Sequence, residues 1–293
     1  MMKALYDLPA PAKLNWFLHI VGRREDGYHL LQSAFVLIDW CDTLHFELRS
    51  DARLTRHDLG AALPENDLCL RAAALLQRAS ATRLGADISI AKRVPSGAGM
   101  GGGSSDAATT LLALNRLWGL DWPRSRLLEL ALALGADVPF FVGGDNAFVE
   151  GIGERLTPIP VARQWFAVVK PKASVATREI FASPLLVRDS EAVILAGFLA
   201  DAGAPGGFGR GSFGRNDMQP AAVSRCSEIG DAARWLEARF GHSRMTGSGS
   251  AVFAGAGTGA QPASTLPDDP AAGWVARMCR SLERHPLRDF AEG

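Results

Sequence analysis

Between residues 95 and 106 the chain reads Pro-Ser-Gly-Ala-Gly-Met-Gly-Gly-Gly-Ser-Ser-Asp, and no other stretch narrows the possible folds as far. A strand-like run, Ala86 to Ile90, enters it, and an apolar run with helical spacing, Ala107 to Trp118, leaves it. Glycines let a backbone close around an anion and turn successive N–H groups toward it. A helix that follows adds unpaired N–H groups and the positive end of its dipole. Strand, glycine loop and helix together point to a site for nucleotide phosphates. The plain alternative is a flexible linker, which the regular flanks argue against.

Two better-known glycine motifs do not fit. Gly97 to Gly102 satisfies the spacing GxGxxG, but a dinucleotide site requires an acid about 20 residues on, at the end of a second strand. Asp121 is near that distance but sits in Trp118-Gly119-Leu120-Asp121-Trp122-Pro123, which reads as a turn. A phosphate loop of the Gly-Lys-Ser/Thr type requires a lysine that this loop lacks.

The 293 residues suit one large or two modest domains. Lysine plus arginine and aspartate plus glutamate both number 31, which supports neither a nucleic-acid footprint nor a polybasic membrane patch. Cys41, Cys69, Cys226 and Cys279 are scattered without a CxxC pair, a pattern of reduced thiols in the cytosol. Met1 to Lys13 is broken by Asp7, Pro9 and Pro11 and lacks the apolar core of a signal peptide. No apolar run reaches membrane-spanning length. The expectation is a soluble cytoplasmic enzyme.

Leu14, Trp16, Leu18 and Ile20 share one face of an expected strand, with Lys13, Asn15, Phe17 and His19 on the other. Leu44, Phe46 and Leu48 alternate with His45, Glu47 and Arg49 as a second, half-buried strand. Asn66 is the expected N-cap of a helix carrying Leu68, Ala72, Leu75 and Leu76, and Ser125 to Leu134 is a further helix stopped by Gly135. The order strand, strand, helix, strand, glycine loop, helix, helix is mixed α/β. The pattern restarts at Trp165 to Val169, placing a boundary near 150–165. Gly197 to Gly214 and Gly255 to Gly273 read as long surface loops.

Four further clusters carry useful chemistry. Lys13 and Asn15, in Pro11-Ala12-Lys13-Leu14-Asn15, point the same way on a strand, where a solvated sheet face is the ordinary alternative. Asp26-Gly27 reads as a tight turn presenting Tyr28 and His29, a pair that also serves as packing. Asp137, in Gly135-Ala136-Asp137-Val138-Pro139, occupies a place where most aspartates cap a turn or helix. Gly247-Ser248-Gly249 lies in a second small-residue loop that runs into a strand, on its own an ordinary turn. Five such clusters in one chain are not accounted for by packing.

In this order the clusters resemble the galactokinase, homoserine kinase, mevalonate kinase and phosphomevalonate kinase superfamily. The clusters around Lys13, Tyr28 and Asp137 are most similar to its branch acting on 4-diphosphocytidyl-2-C-methyl-D-erythritol in the non-mevalonate isoprenoid pathway. The resemblance runs from about Pro9 to about Pro286, weakest from Ser183 to Gly214 and after Gly255. It implies an α+β (mixed α/β) fold of two domains. Residues 1–160 would form a ribosomal-protein-S5-like ATP-binding domain, and residues 161–293 a ferredoxin-like domain.

The implied activity is ATP- and Mg2+-dependent phosphorylation of the 2-hydroxyl of that cytidyl substrate. The alternatives are a sister kinase of another small alcohol, such as mevalonate or homoserine, and a non-catalytic ligand sensor on the same fold. By resemblance, Asp137 is the catalytic base and Lys13 its charged partner. Pro95, Ser96, Gly97, Ala98, Gly99, Met100, Gly101, Gly102, Gly103, Ser104 and Ser105 wrap the ATP phosphates, with Ser104 or Ser105 nearest the magnesium. Asn66 lines the adenine side. Asn15, Tyr28, His29, Thr177, Phe181, Gly247, Ser248 and Gly249 serve the substrate, Phe181 by packing on the cytosine ring. The implied partner is a small molecule, with no nucleic acid or membrane, and the protein is a monomer or weak homodimer. Three positions depart from the pattern: Arg178 stands where proline is usual, Gln219 replaces a commoner acid, and Met100 replaces leucine, a volume-conserving exchange.

Overall fold

A computed structural model describes residues 2–202, 214–267 and 270–292. The first half of the chain forms strands β1 (Ala4–Arg23), β2 (His29–Arg49), β3 (Leu54–Asp58), β4 (Gly85–Ala91), β5 (Ala147–Glu150) and β6 (Arg155–Pro158). Helices α1 (Leu68–Ser80), α2 (Gly102–Leu117), α3 (Arg124–Leu134) and α4 (Val138–Gly143) lie between β3 and β5. Among the described residues the strand order is β3-β4-β2-β5-β6, with β1 added on β2. Only β3 and β4 pair in parallel among these strands.

The second half contributes β7 (Trp165–Lys170), α5 (Thr177–Phe181), α6 (Leu195–Ala202), α7 (Gln219–Arg225), α8 (Ser227–Phe240), β8 (Arg244–Met245), β9 (Val252–Gly255) and β10 (Val275–Arg280). Its antiparallel sheet has the order β10-β7-β9-β8. The first sheet thus ends at Pro158 and the second begins at Trp165, and the fold is mixed α/β.

Helix α2 is the spine of the first half. Every residue from Ser105 to Asn115 is buried, and the helix packs against α1, α4, β1 and β2. A helix covered on all sides needs no polar face, and its small Ala107, Ala108 and Ala113 admit close neighbours. Helix α1 meets it with Cys69, Ala72, Ala73 and Leu76, the spacing of one helical stripe. Strand β1 is long and irregular. Register shifts divide it so that Leu8 and Ala10 join one apolar cluster, Leu14, Trp16 and Phe17 a second, and Leu18 and Ile20 a third.

Several sequence expectations change in detail. Helix α2 begins at Gly102, five residues before the apolar run, because the last glycines of the loop already form its first turn. Asp67, not Asn66, caps α1: its carboxylate accepts the Leu70 N–H at 3.0 Å, and a charged acceptor one residue closer to the helix takes the role. Strand β3 adds an element that the pattern did not show; only five residues long, it carries little periodicity. Both faces of β1 are covered, so Lys13, Asn15 and Phe17 are buried rather than solvated. A bulge between Asn15 and Leu18 puts Phe17 in the same cluster as Trp16. The expected loop from Gly197 starts as helix, since α6 runs to Ala202 with Phe198 buried against Trp16 and Phe17; residues 203–213 lie outside the described residues. The expected helix stop at Gly135 and the irregular chain after Gly255 both occur, residues 268–269 again lying outside the described set.

The chain ends by returning to the first sheet. Leu282 N–H donates to Leu37 O, Asn146 Nδ2 donates to Leu282 O, and Leu287 and Ala291 enter the first core. Arg124 fastens this return: its guanidinium donates to Val142 O and Ala291 O, each at 2.7 Å, and to Arg288 O. Arg124→Gln is expected to leave buried carbonyls unpaired and lower stability by about 2–4 kcal/mol. Urea unfolding checks this, and an unchanged midpoint refutes it.

Candidate active site

The glycine loop does not stand alone. Ser250 N–H donates to Gly97 O and Ala251 N–H to Ala98 O, both at 3.1 Å, so the loop leading into β9 runs alongside it. Contact is closest at Gly99, whose φ is +71° and whose missing Cβ would lie 2.2 Å from Thr246 O. Only glycine fits there. At Gly101, also at +71°, a Cβ would meet the Phe141 ring at 2.9 Å and Lys13 Cγ at 3.3 Å. The loop is therefore pressed between the 246–249 turn on one side and Lys13 with α4 on the other.

A cavity of about 350 Å³ opens in front of it, lined by Lys92, Val94, the loop from Pro95 to Ser104, Leu68, Val175, Thr177, Ser248 and Gly249. Helical geometry leaves the N–H groups of Gly102, Gly103 and Ser104 without intrahelical acceptors at this wall. Ser105 N–H is the first to turn inward, to Gly101 O. Ser104 lines the cavity, whereas Ser105 is fully buried behind it, its hydroxyl without a partner among the described residues. A backbone cradle, a helix start and one lysine suit a polyphosphate. A larger cavity of about 780 Å³ lies between β1 and residues 187–194, but holds none of the predicted site residues.

Lys13 sits where the loop meets β1. Its backbone N–H donates to Met100 O at 3.0 Å. Its side chain is 4% exposed, and its ammonium donates to Asn15 Oδ1 at 2.5 Å, stands 3.6 Å from Asp137 Oδ2 and lies over the Phe35 ring. Burial pulls the Lys13 pKa below the usual lysine value, and the Asp137 carboxylate works against that fall. Asp137 occupies the N-cap position of α4 yet makes no capping bond, so the ordinary use of an aspartate there is absent and its partly exposed carboxylate serves Lys13. Asn15 is buried and engaged: besides Lys13 it bonds Ser33 Oγ through Nδ2 and Thr246 Oγ1 through its N–H and Oδ1. Asn15 does not line the phosphate cavity.

His29 and Phe181 form a second cluster. The His29 ring stacks on Phe181 with centroids 4.8 Å apart, and Tyr28 beside it is 62% exposed. Burial, then the nearby Arg188 and Arg23, hold the His29 pKa below that of a free histidine, which favours a neutral ring with one donor and one acceptor. Thr177 and Ser248 share a hydrogen bond of 2.7 Å between hydroxyls and line the phosphate cavity together with Gly249. Asn66 is elsewhere, lining a neighbouring cavity of about 460 Å³ with Leu54, Leu70 and Arg71.

Sequence reasoning missed Thr246 and Lys92. Thr246 ties Asn15 to the loop at Gly99 O. Lys92, three residues before Pro95, lines the cavity and is held by Asp42 and by Asp106. A lysine so close to a glycine loop was the available signal; its pairing with Asp42, 50 residues away, had none. Gly99→Ala is expected to push the loop off Thr246 and weaken nucleoside triphosphate binding at least tenfold, since left-handed backbone alone costs ~1–2 kcal/mol with a Cβ. Nucleotide titration checks this, and unchanged affinity would show that the close approach is not needed.

Residues 67–145 match the model of the GHMP kinase N-terminal domain. A 4-diphosphocytidyl-2-C-methyl-D-erythritol kinase from Methylibium petroleiphilum is 63% identical, with 99% of each chain covered. One from Variovorax paradoxus is 57% identical over 99% of this chain and 100% of its own. A crystal structure of 4-(cytidine 5'-diphospho)-2C-methyl-D-erythritol kinase superposes with a TM-score of 0.75 at 32% identity, covering 94% of this chain and 98% of that one. A homoserine kinase from Cytophaga hutchinsonii shares the fold at a TM-score of 0.66 and 16% identity, with 97% and 96% covered. By these full-length likenesses, and by the glycine cradle and Lys13–Asp137 pair already described, the chain belongs to the 4-diphosphocytidyl-2-C-methyl-D-erythritol kinase family of the GHMP kinases.

Proposed function

We propose that this protein transfers the γ-phosphoryl group of ATP to the 2-hydroxyl of 4-diphosphocytidyl-2-C-methyl-D-erythritol, giving the 2-phosphate and ADP on the non-mevalonate route to isoprenoid precursors. The observation that carries the reading is the buried Lys13 bridging the glycine loop and Asp137. The loop from Pro95 to Ser104 and the start of α2 take the polyphosphate through backbone N–H groups. The Ser104 hydroxyl, which lines the cavity, is the protein oxygen at hand that would hold a magnesium ion, and such an ion would supply positive charge to the phosphate oxygens.

Asp137 accepts the proton of the substrate hydroxyl as that oxygen bonds to phosphorus and the bond to the ADP oxygen breaks. Lys13 stands beside the Asp137 carboxylate and offsets negative charge where the phosphoryl group passes. Phe181, His29 and Tyr28 receive the cytosine, the neutral histidine offering its edge and the aromatic rings their faces. Thr177 and the Gly247-Ser248-Gly249 turn close the site between the two substrates. We assign residues 1–160 to the ATP-binding domain and 161–293 to the second domain, in a cytoplasmic protein that is a monomer or weak homodimer. Among the described residues no helix is long and apolar enough to cross a membrane.

The reaction is tested by incubating the protein with MgATP and the cytidyl substrate, with mevalonate and homoserine in parallel, following ADP and locating the phosphate by ³¹P NMR. A new 2-phosphate with the cytidyl substrate alone is expected; turnover of only another alcohol overturns the substrate assignment. Asp137→Asn should leave MgATP affinity nearly intact and lower kcat by at least ~10²-fold. A kcat near that of the unaltered protein would remove Asp137 from the role of base. Phe181→Ala should raise KM for the cytidyl substrate, as loss of ~1–3 kcal/mol of base stacking predicts, with KM for ATP unchanged. Equal damage to both constants would instead mark a packing defect.

A further inference from the structure

Asp42, on β2, is fully buried and does not line the phosphate cavity. Its carboxylate nevertheless gathers three donors. Oδ1 accepts the backbone N–H of Arg93 at 2.5 Å and of Val94 at 2.8 Å, and Oδ2 accepts Lys92 Nζ. These three residues connect the end of β4 to Pro95, where the glycine loop begins. One carboxylate therefore binds both the backbone entering the loop and the ammonium at the cavity wall.

Lys92 has a second acidic neighbour, and the two are not equivalent. Asp106 Oδ2 accepts Lys92 Nζ at 2.5 Å, but Asp106 Oδ1 is buried and receives no donor among the described residues. Burial pushes the Asp106 carboxyl well above the usual range, and the Asp42 charge adds to that rise although Lys92 opposes it. Burial also works against the Lys92 charge, but Asp106 and Asp42 more than offset it and raise its pKa. Asp42 is thus the carboxylate with both oxygens bonded, anchored to backbone that the side chain cannot outrun.

We infer that Asp42 is a positioning residue for the nucleoside triphosphate: it fixes the strand-to-loop junction and aims Lys92 at the nucleotide. A lysine on a four-carbon stem samples many rotamers, and holding it in one reduces what ordering costs when the anion binds. The inference rests on the proposed use of ATP by this cavity but not on the identity of the alcohol.

The test compares Asp42→Asn, Lys92→Met and the double variant, measuring Kd for MgATP by calorimetry without any alcohol. Asparagine can still accept the Arg93 and Val94 N–H groups, but presents no charge to Lys92. Asp42→Asn is expected to weaken MgATP binding about tenfold, the scale of one hydrogen bond to a charged group. Lys92→Met should weaken it comparably, and the double variant no further than Lys92→Met alone, because Asp42 acts through Lys92. In turnover, KM for ATP should rise while KM for the alcohol stays as it was. Losses that multiply in the double variant, an unaltered Kd for Asp42→Asn, or an equal rise in both KM values would each overturn the inference. Should Asp42→Asn fail to fold, Asp42→Glu replaces it in the same comparison: it keeps the charge but its longer side chain cannot hold the Arg93 and Val94 N–H groups and Lys92 at once, and an unaltered Kd for it would overturn the inference. Loss of cytidyl turnover in the unaltered protein with this Kd pattern intact would count against the substrate assignment and not against Asp42.

Discussion

The contact on which the site depends is between two stretches of backbone that side chains keep apart in most proteins. At Gly99 the glycine loop comes so near Thr246 O that a single methyl group would not fit. Hydrogen bonds from Ser250 and Ala251 to Gly97 O and Ala98 O then run along the seam. The loop preceding β9 belongs to the second sheet and the glycine loop to the first, so this seam also joins the two halves at the place where phosphate would bind. Glycine is needed here for its volume as much as for its φ. A loop supported on both sides pays its ordering entropy on folding, and little remains to be paid on binding.

Lys13 is the second constraint. Removing an ammonium from water costs several kcal/mol unless partners compensate. Here Asn15 Oδ1, the Asp137 carboxylate and the face of Phe35 supply that compensation. None of the three is a full counter-charge in contact: Asp137 stands at 3.6 Å and remains partly exposed. The pair is therefore loosely closed, with a carboxylate edge available to another ligand. A bidentate, sealed ion pair at the same place would be more stable and would leave no acceptor for a proton.

How much of this was legible follows from the range of each interaction. The helices α1 and α3 show in the sequence because their apolar stripes repeat within one segment. The glycine loop shows because its composition is local. The start of α2 did not, since Gly102 and Gly103 are poor helix formers that are held in the helix by what surrounds them. The cap of α1 shifted by one residue because Asn66 and Asp67 are both good caps and only geometry separates them. The hydrogen-bond partners of Asn15 were not legible, because Ser33 and Thr246 lie 18 and 231 residues away. The buried state of Lys13 likewise depends on α4 and β2 covering a face that alternation alone leaves open. Asp42 gave no local sign, because what distinguishes it is three donors that only folding assembles.

The register of β1 explains how so few residues can be placed so closely. Successive side chains on a strand point to opposite faces, so a slip by one residue would carry Lys13 and Asn15 away from Asp137 and bring Ala12 and Leu14 in their place. Smooth pairing over a strand of 20 residues would resist such a slip only through its apolar pattern, and β1 is buried on both faces, where that pattern discriminates weakly. Irregularities supply what alternation cannot. The ladder with β2 shifts between Pro11 and Ala12 and again between Asn15 and Leu18, immediately on either side of the Lys13–Asn15 segment. Each bulge fits its partner strand in one place only, because an extra residue must find the local twist that accommodates it. Within that segment, Lys13 N–H to Met100 O and Asn15 N–H to Thr246 Oγ1 attach the strand to both loops of the seam. Lys13 is thus indexed three ways, by two bulges and by the glycine loop itself, and the loop cannot close unless the strand is in register.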